Sequence, residues 1–145
     1  MKKSIYYASF ALLSVMFVLS SCNRYEEGAN FSFLSAKARV VNTWVQIKSE
    51  YTSGASSTTN TGYTEVEVTF DKDMNYSYTG KLFGFPFSQE GTWSFNSDKT
   101  GINLKQDPAQ GNDYQQWKLI KLKNKELKIE TEDNGNTLMF EFEQK

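Results

Sequence analysis

The chain has 145 residues, with 16 lysines and arginines against 17 aspartates and glutamates, a net charge of −1 and no histidine. The charges are interspersed, so no Lys/Arg cluster of the kind that grips nucleic acid is present. Without histidine and with one cysteine, Ser/His/Asp and Cys/His catalytic sets, ordinary His/Cys zinc sites and an intrachain disulfide are all excluded.

The chain opens Met1-Lys2-Lys3, followed by a mostly apolar run of 15 residues from Ile5 to Leu19 that includes Tyr6, Tyr7 and serines. A positive start and a short apolar stretch are the marks of a secretory leader. A bilayer-spanning helix wants about 20 predominantly apolar residues, so the run is expected to be a signal rather than a permanent span. It ends in Leu19-Ser20-Ser21-Cys22, which resembles the lipobox of bacterial lipoproteins. That resemblance implies cleavage before Cys22, a diacylglycerol on its thiol and, often, acylation of the new amine. One acyl chain holds a protein only marginally, whereas two or three on one cysteine anchor it stably. The expected organisation is a signal peptide at 1–21, a lipidated tether at 22–34 and one folded domain at 35–145.

In the tether, Glu26-Glu27 resembles the acidic export tag of surface lipoproteins in Bacteroidetes-type bacteria, and reads equally well as part of a solvated linker. Position 23 is Asn, not the aspartate that tends to hold lipoproteins in the inner membrane of enteric-type bacteria. The expected location is therefore the outer membrane, on its periplasmic face or at the cell surface. Removing residues 1–21, with two of the 16 basic residues, leaves 124 residues carrying 14 basic and 17 acidic side chains, net −3. That length suits one domain.

Downstream of the tether, Phe33–Val41 predicts a short helix, and the rest alternates with period two. Val66, Val68 and Phe70 alternate with Glu65, Glu67 and Thr69; Leu127 and Ile129 alternate with Lys128 and Glu130; Leu138, Phe140 and Phe142 alternate with Met139, Glu141 and Glu143. Such alternation means strands with one dry and one wet face. Eight strands are predicted: Thr43–Tyr51, Tyr63–Phe70, Asn75–Phe83, Gln89–Phe95, Gly101–Gln106, Tyr114–Leu122, Leu127–Glu132 and Leu138–Glu143. Asp71–Met74, Asn96–Thr100, Lys123–Lys125 and Asn134-Gly135 are hairpin-sized turns, the last a favoured type I′ pair. Thr52–Gly62, rich in Ser, Thr, Gly and Asn, is expected to be a longer, mobile loop. No connection is long enough for a crossover helix, so the strands run antiparallel. Closing the eighth strand onto the first removes both sheet edges, which gives an all-β, eight-stranded, up-and-down barrel with a short N-terminal helix.

This pattern resembles the lipocalin-like lipoproteins common in Bacteroidetes. Trp44, in Val41-Asn42-Thr43-Trp44, opens the first strand after the short helix as the tryptophan of the lipocalin Gly-x-Trp motif does, with Asn42 at the glycine position. Gly91-Thr92-Trp93-Ser94-Phe95 resembles a mid-barrel Gly-x-Trp-x-Phe segment of these domains. The resemblance covers about residues 35–145 and lacks the C-terminal helix and disulfides of secreted lipocalins. It implies a barrel fold and binding of a small apolar ligand.

An eight-stranded barrel is just wide enough to be filled by side chains or to hold one small ligand. The residues expected inside are Trp44, Val66, Val68, Phe70, Tyr76, Tyr78, Trp93, Phe140 and Phe142. Trp44, Phe70, Tyr76, Tyr78, Trp93, Phe140 and Phe142 are the candidate ligand contacts, the alternative being a side-chain-filled core. Leu82-Phe83-Gly84-Phe85-Pro86-Phe87 places three phenylalanines at an expected hairpin tip, where turns are normally polar. Phe83, Phe85 and Phe87 are thus either a lid, a membrane-dipping tip or a partner patch, or a plug for one barrel end. Asp71-Lys72-Asp73 opens like a calcium loop, but the sixth and twelfth positions are Tyr76 and Leu82 rather than Gly and Glu, which leaves a polar turn. The glutamate pairs 65/67, 130/132 and 141/143 lie on wet strand faces and offer no cleft chemistry. The sequence therefore predicts a non-catalytic protein without metal or cofactor, membrane-attached through Cys22. Its expected partners are a small apolar ligand or, if the barrel is filled, another envelope protein, and no nucleic acid.

Overall fold

The structure, a computed structural model, describes residues 25–27, 33–61, 65–82, 84–111 and 113–145. The leader, Cys22 and Phe83 lie outside the described residues. One short helix, α1 (Ala36–Val40), is followed by nine strands: β1 (Thr43–Ser53), β2 (Ser56–Thr61), β3 (Glu67–Phe70), β4 (Asn75–Leu82), β5 (Phe85–Phe95), β6 (Gly101–Gln106), β7 (Tyr114–Leu122), β8 (Glu126–Asp133) and β9 (Asn136–Gln144). Every pairing is antiparallel, and β9 returns to pair with β1 from Trp44↔Gln144 to Thr52↔Thr137. The result is a closed eight-stranded antiparallel barrel with one extra strand, as the alternation predicts.

The extra strand corrects the expectation of a mobile loop at Thr52–Gly62. Gly54, with φ +57°, begins a two-residue turn between Ser53 and Ser56, the Gly-first pattern of a type II′ hairpin. β2 then pairs with the upper half of β1 from Ser53↔Ser56 to Lys48↔Thr61, and β3 with its lower half from Val45↔Glu67 to Thr43↔Thr69. β2 and β3 thus occupy successive stretches of one wall position. β5 also starts earlier than expected: Leu82 pairs with Phe85, so Phe85 and Phe87 belong to a strand rather than a tip.

The turns form for local reasons. Asp71 Oδ1 accepts from the backbone N–H groups of Asp73 and Asn75, both at 2.8 Å, which holds the β3–β4 connection. Asn134 and Gly135 take φ +49° and +78°, the two left-handed residues a type I′ turn requires. Ser35 caps α1, its hydroxyl accepting from Ala38 N–H at 3.1 Å. Glycine is compulsory at position 91, because a Cβ there would collide with the Lys105 carbonyl on β6.

The chain alternates between two barrel ends. α1 covers the end that carries the β3–β4, β5–β6 and β7–β8 turns. There the Trp44 indole donates to the Val40 carbonyl at 2.9 Å, and Arg39 donates to the Leu122 carbonyl. The core behind this closed end is dense and aromatic. Phe70 meets Trp93 edge-on at 5.5 Å and Trp117 at 6.1 Å, and Phe142 stacks on Trp117 at 6.3 Å. Val40, Val68, Ile102, Leu122, Leu127 and Ile129 complete it.

Tether residues 25–27 lie on the barrel. A bulge at Ile120 shifts the β7–β8 register, and the Ile120 carbonyl accepts from Glu27 N–H at 2.8 Å. The same register puts Lys121 directly opposite Lys128, a pair of like charges. Glu27 bridges them, 3.3 Å from Lys121 and 2.7 Å from Lys128, while Glu26 pairs with Lys118 at 2.7 Å. Tyr25 is buried, with the Arg39 guanidinium 5.7 Å from its ring centroid.

Candidate functional site

Away from α1 the barrel wall opens. Backbone pairing between β7 and β8 stops at Lys118↔Glu130; above it the Thr131 hydroxyl still donates to the Gln116 carbonyl at 3.0 Å, and the cleft lies between the upper ends of the two strands. The slit leads into a cleft of about 920 Å³. Trp117 forms its floor and is only 3% exposed. Tyr78, Leu138 and Phe140, facing inward by strand alternation, form the sides, and Tyr114, Lys118, Glu130, Thr131, Glu132 and Asp133 form the rim; Glu130 and Glu132, expected on a solvated face away from any cleft, thus stand at its mouth. Tyr78 faces Trp117 edge-on at 6.2 Å and Phe87 at 5.2 Å, so the floor is one continuous set of rings. Burial pushes the Tyr78 hydroxyl up to about 12, which keeps it a neutral phenol able to donate a hydrogen bond. The lining is mixed, aromatic inside and polar at the rim, and the volume falls within the roughly 300–1,000 Å³ of small-molecule sites.

The candidate contacts read from the sequence divide between the two halves. Tyr78 and Phe140 line the cleft. Trp44, Phe70, Trp93 and Phe142 are fully packed in the core. Tyr76 is buried as well, its hydroxyl without a partner in hydrogen-bond geometry. Its pKa is raised, mainly by burial, with the nearby Gln89 side chain pulling the other way. Phe87 packs against Tyr78, whereas Phe85 is 76% exposed at the open end. Trp117, Tyr114 and Leu138 line the cleft and were absent from the sequence-derived set. Only the alternation of Leu138 with Met139 pointed inward, and Tyr114-Gln115-Gln116-Trp117 has no pattern to reveal it.

A second groove, about 500 Å³, lies on the wall formed by β3–β6, with Thr69, Ser77, Glu90, Thr92 and Lys105 along it. Its Asp71 carboxylate is engaged by its own turn, where the Asn75 side-chain amide also donates to it at 2.9 Å. Those hydrogen bonds, from the Asn75 side chain first, hold its pKa below the usual value. Among the described residues, no group of three or more Asp, Glu, Cys or His side chains is placed to hold a metal ion. No described helix is long and apolar enough to cross a membrane.

No protein-family profile and no curated protein matches this chain. Among solved structures, a redesigned β-barrel superposes with a TM-score of 0.52 at 15% identity, over 79% of this chain and 99% of that one. A de novo designed fluorescence-activating β-barrel is similar at a TM-score of 0.46 and 13% identity, covering 78% and 100% of the two chains. Identities this low speak to the barrel fold alone.

Proposed function

We propose that this protein is a non-catalytic binding protein of lipocalin-like type, held at the outer membrane through an acylated Cys22. It takes a small molecule with an apolar or aromatic body into the open-end cleft. The observation that carries the reading is the cleft between the upper ends of β7 and β8, where backbone pairing stops at Lys118↔Glu130 and Tyr78, Leu138 and Phe140 form the sides. A cleft this size at one end of a packed barrel is free to bind because the other half supplies the stability. The lipobox-like Leu19-Ser20-Ser21-Cys22 and the absence of any other cysteine support the anchor.

The test is native mass spectrometry of the full chain purified from its own membrane in mild detergent. A stoichiometric small molecule should accompany the protein and be lost from Phe140→Ala, which removes a side wall; because that ring also packs against Phe142, the variant's melting is measured alongside to show that it is still folded. The intact mass should also carry acyl groups that disappear in Cys22→Ser. An empty wild type that stays empty against a ligand panel would overturn the binding reading. A second reading, a protein-interaction module, is favoured by one observation only: Phe85 stands 76% exposed at the open end. In that case Phe85→Ser should abolish capture of an envelope partner with no change in melting.

A further inference from the structure

We infer that the cleft selects cations: a ligand with an apolar or aromatic body carrying a protonated amine or a quaternary ammonium. This rests on the binding function proposed above and adds the sign of the charge. At the slit, the rim carries Glu130, Glu132 and Asp133 against one lysine, Lys118. That lysine is already shared between Glu26 at 2.7 Å and Glu130 at 3.5 Å. Among the described residues no basic side chain pairs with Glu132 or Asp133; the Asp133 carboxylate accepts only from the Asn134 amide at 2.9 Å. An entering carboxylate would thus meet like charge, with the one lysine of the lining already engaged. An ammonium would meet acids at the rim with the Tyr78, Trp117 and Phe140 rings beyond them, and aromatic rings attract cations within about 6 Å.

The exposed rim acids attract cations at the slit, and that attraction weakens with salt. The rest of the open end adds Asp107 and Asp113 in the β6–β7 loop, against Lys81, which pairs with Glu65 at 2.8 Å, and Lys105, which lies opposite Tyr114. The closed-end turns interleave Lys72, Lys99, Lys123 and Lys125 with Asp71, Asp73 and Asp98, and Glu126 opens β8, so the sign at the cleft comes from the rim itself.

Three soluble probes with one body and three charges test this: 4-phenylbutylamine, 4-phenylbutanol and 4-phenylbutyrate. Each is titrated into the full-length protein in zwitterionic lipid nanodiscs, read by tryptophan fluorescence and calorimetry. The amine should bind about tenfold or more tightly than the carboxylate, with the alcohol between them. Raising salt should weaken the amine alone. The double variant Glu132→Gln, Asp133→Asn, at two exposed rim positions, should cost the amine several-fold in affinity and the alcohol much less, so that the amine's advantage over the alcohol disappears. Alcohol binding with no preference for the amine, or an amine unaffected by the double variant, would sink the charge selection and leave the binding function standing. Failure of all three probes, with the protein's melting intact, would remove both.

Discussion

At the residue scale, Tyr78 links the packed and open halves of the barrel. Its ring touches Trp117 and Phe87, and its hydroxyl pKa is raised by burial to about 12. In the unfolded chain a tyrosine ionises near pH 10. A raised folded pKa means the neutral form is favoured by folding, so this contribution is complete below about pH 10. It is lost as pH rises from there through about 12, because only the unfolded chain then gains from ionisation. The expected loss is about 2–3 kcal/mol, since each pKa unit corresponds to about 1.4 kcal/mol. Chemical denaturation at pH 9 and pH 11.5 should show a smaller alkaline drop in Tyr78→Phe than in the unaltered protein. An equal drop would mean that the hydroxyl is freely solvated.

At the element scale, the β7–β8 pair does two jobs, divided at Lys118↔Glu130. Below that point the strands are paired and bulged at Ile120, and the tether closes over them; above it backbone pairing gives way to one side-chain bond, Thr131 to the Gln116 carbonyl, and the cleft. The tether is therefore not merely solvated linker. Glu27 neutralises Lys121 and Lys128, which the register forces opposite each other, and its pKa is lowered chiefly by its hydrogen bond with Lys128. Glu27→Gln should lower stability by about 0.5–1 kcal/mol at low salt, the range of exposed ion pairs, and by less at high salt. The contribution of Glu27 is present above the ordinary carboxylate pKa and is lost as pH falls through its lowered one. A salt-independent loss would assign the effect to the backbone bond at Ile120 instead.

Elements also show what alternation can reveal. Val68 and Phe70, Leu127 and Ile129, and Phe142 are placed inward by period two alone, and the structure buries all of them. Ser56–Thr61 has no polarity alternation, being uniformly polar and exposed, so β2 was invisible. It is a strand because Gly54 turns the chain back and β1 offers unpaired backbone groups, neither of which leaves a trace in the strand's own side chains.

At the scale of the whole molecule, the barrel separates stability from access. The closed half holds Trp44, Phe70, Trp93 and Phe142 under α1, whereas the open half shows Phe85 at 76% and Tyr114 at 58% exposure. Trp44→Ala should cost about 3–5 kcal/mol, the usual penalty for emptying a buried tryptophan site. Phe85→Ser should stay within about 0.5 kcal/mol of the unaltered protein, as exposed substitutions do. Thermal melts of the two variants check this directly, and comparable losses would show that Phe85 plugs the barrel.

The sequence by itself determined the fold class. Period-two polarity, hairpin-sized turns and the lack of room for crossover helices leave few options besides an antiparallel closed sheet. It also leaves histidine-based catalytic sets out of these 145 residues. Only the tertiary structure decided which inward residues are core and which line a cleft. Alternation says which side of the wall a residue faces and nothing about its height along the barrel. Trp93 and Tyr78 look equivalent in the sequence, yet one is packed under the closed end and the other stands beside the slit. That slit exists because backbone pairing between β7 and β8 stops at one residue pair, a property of two strands in space that neither strand carries alone.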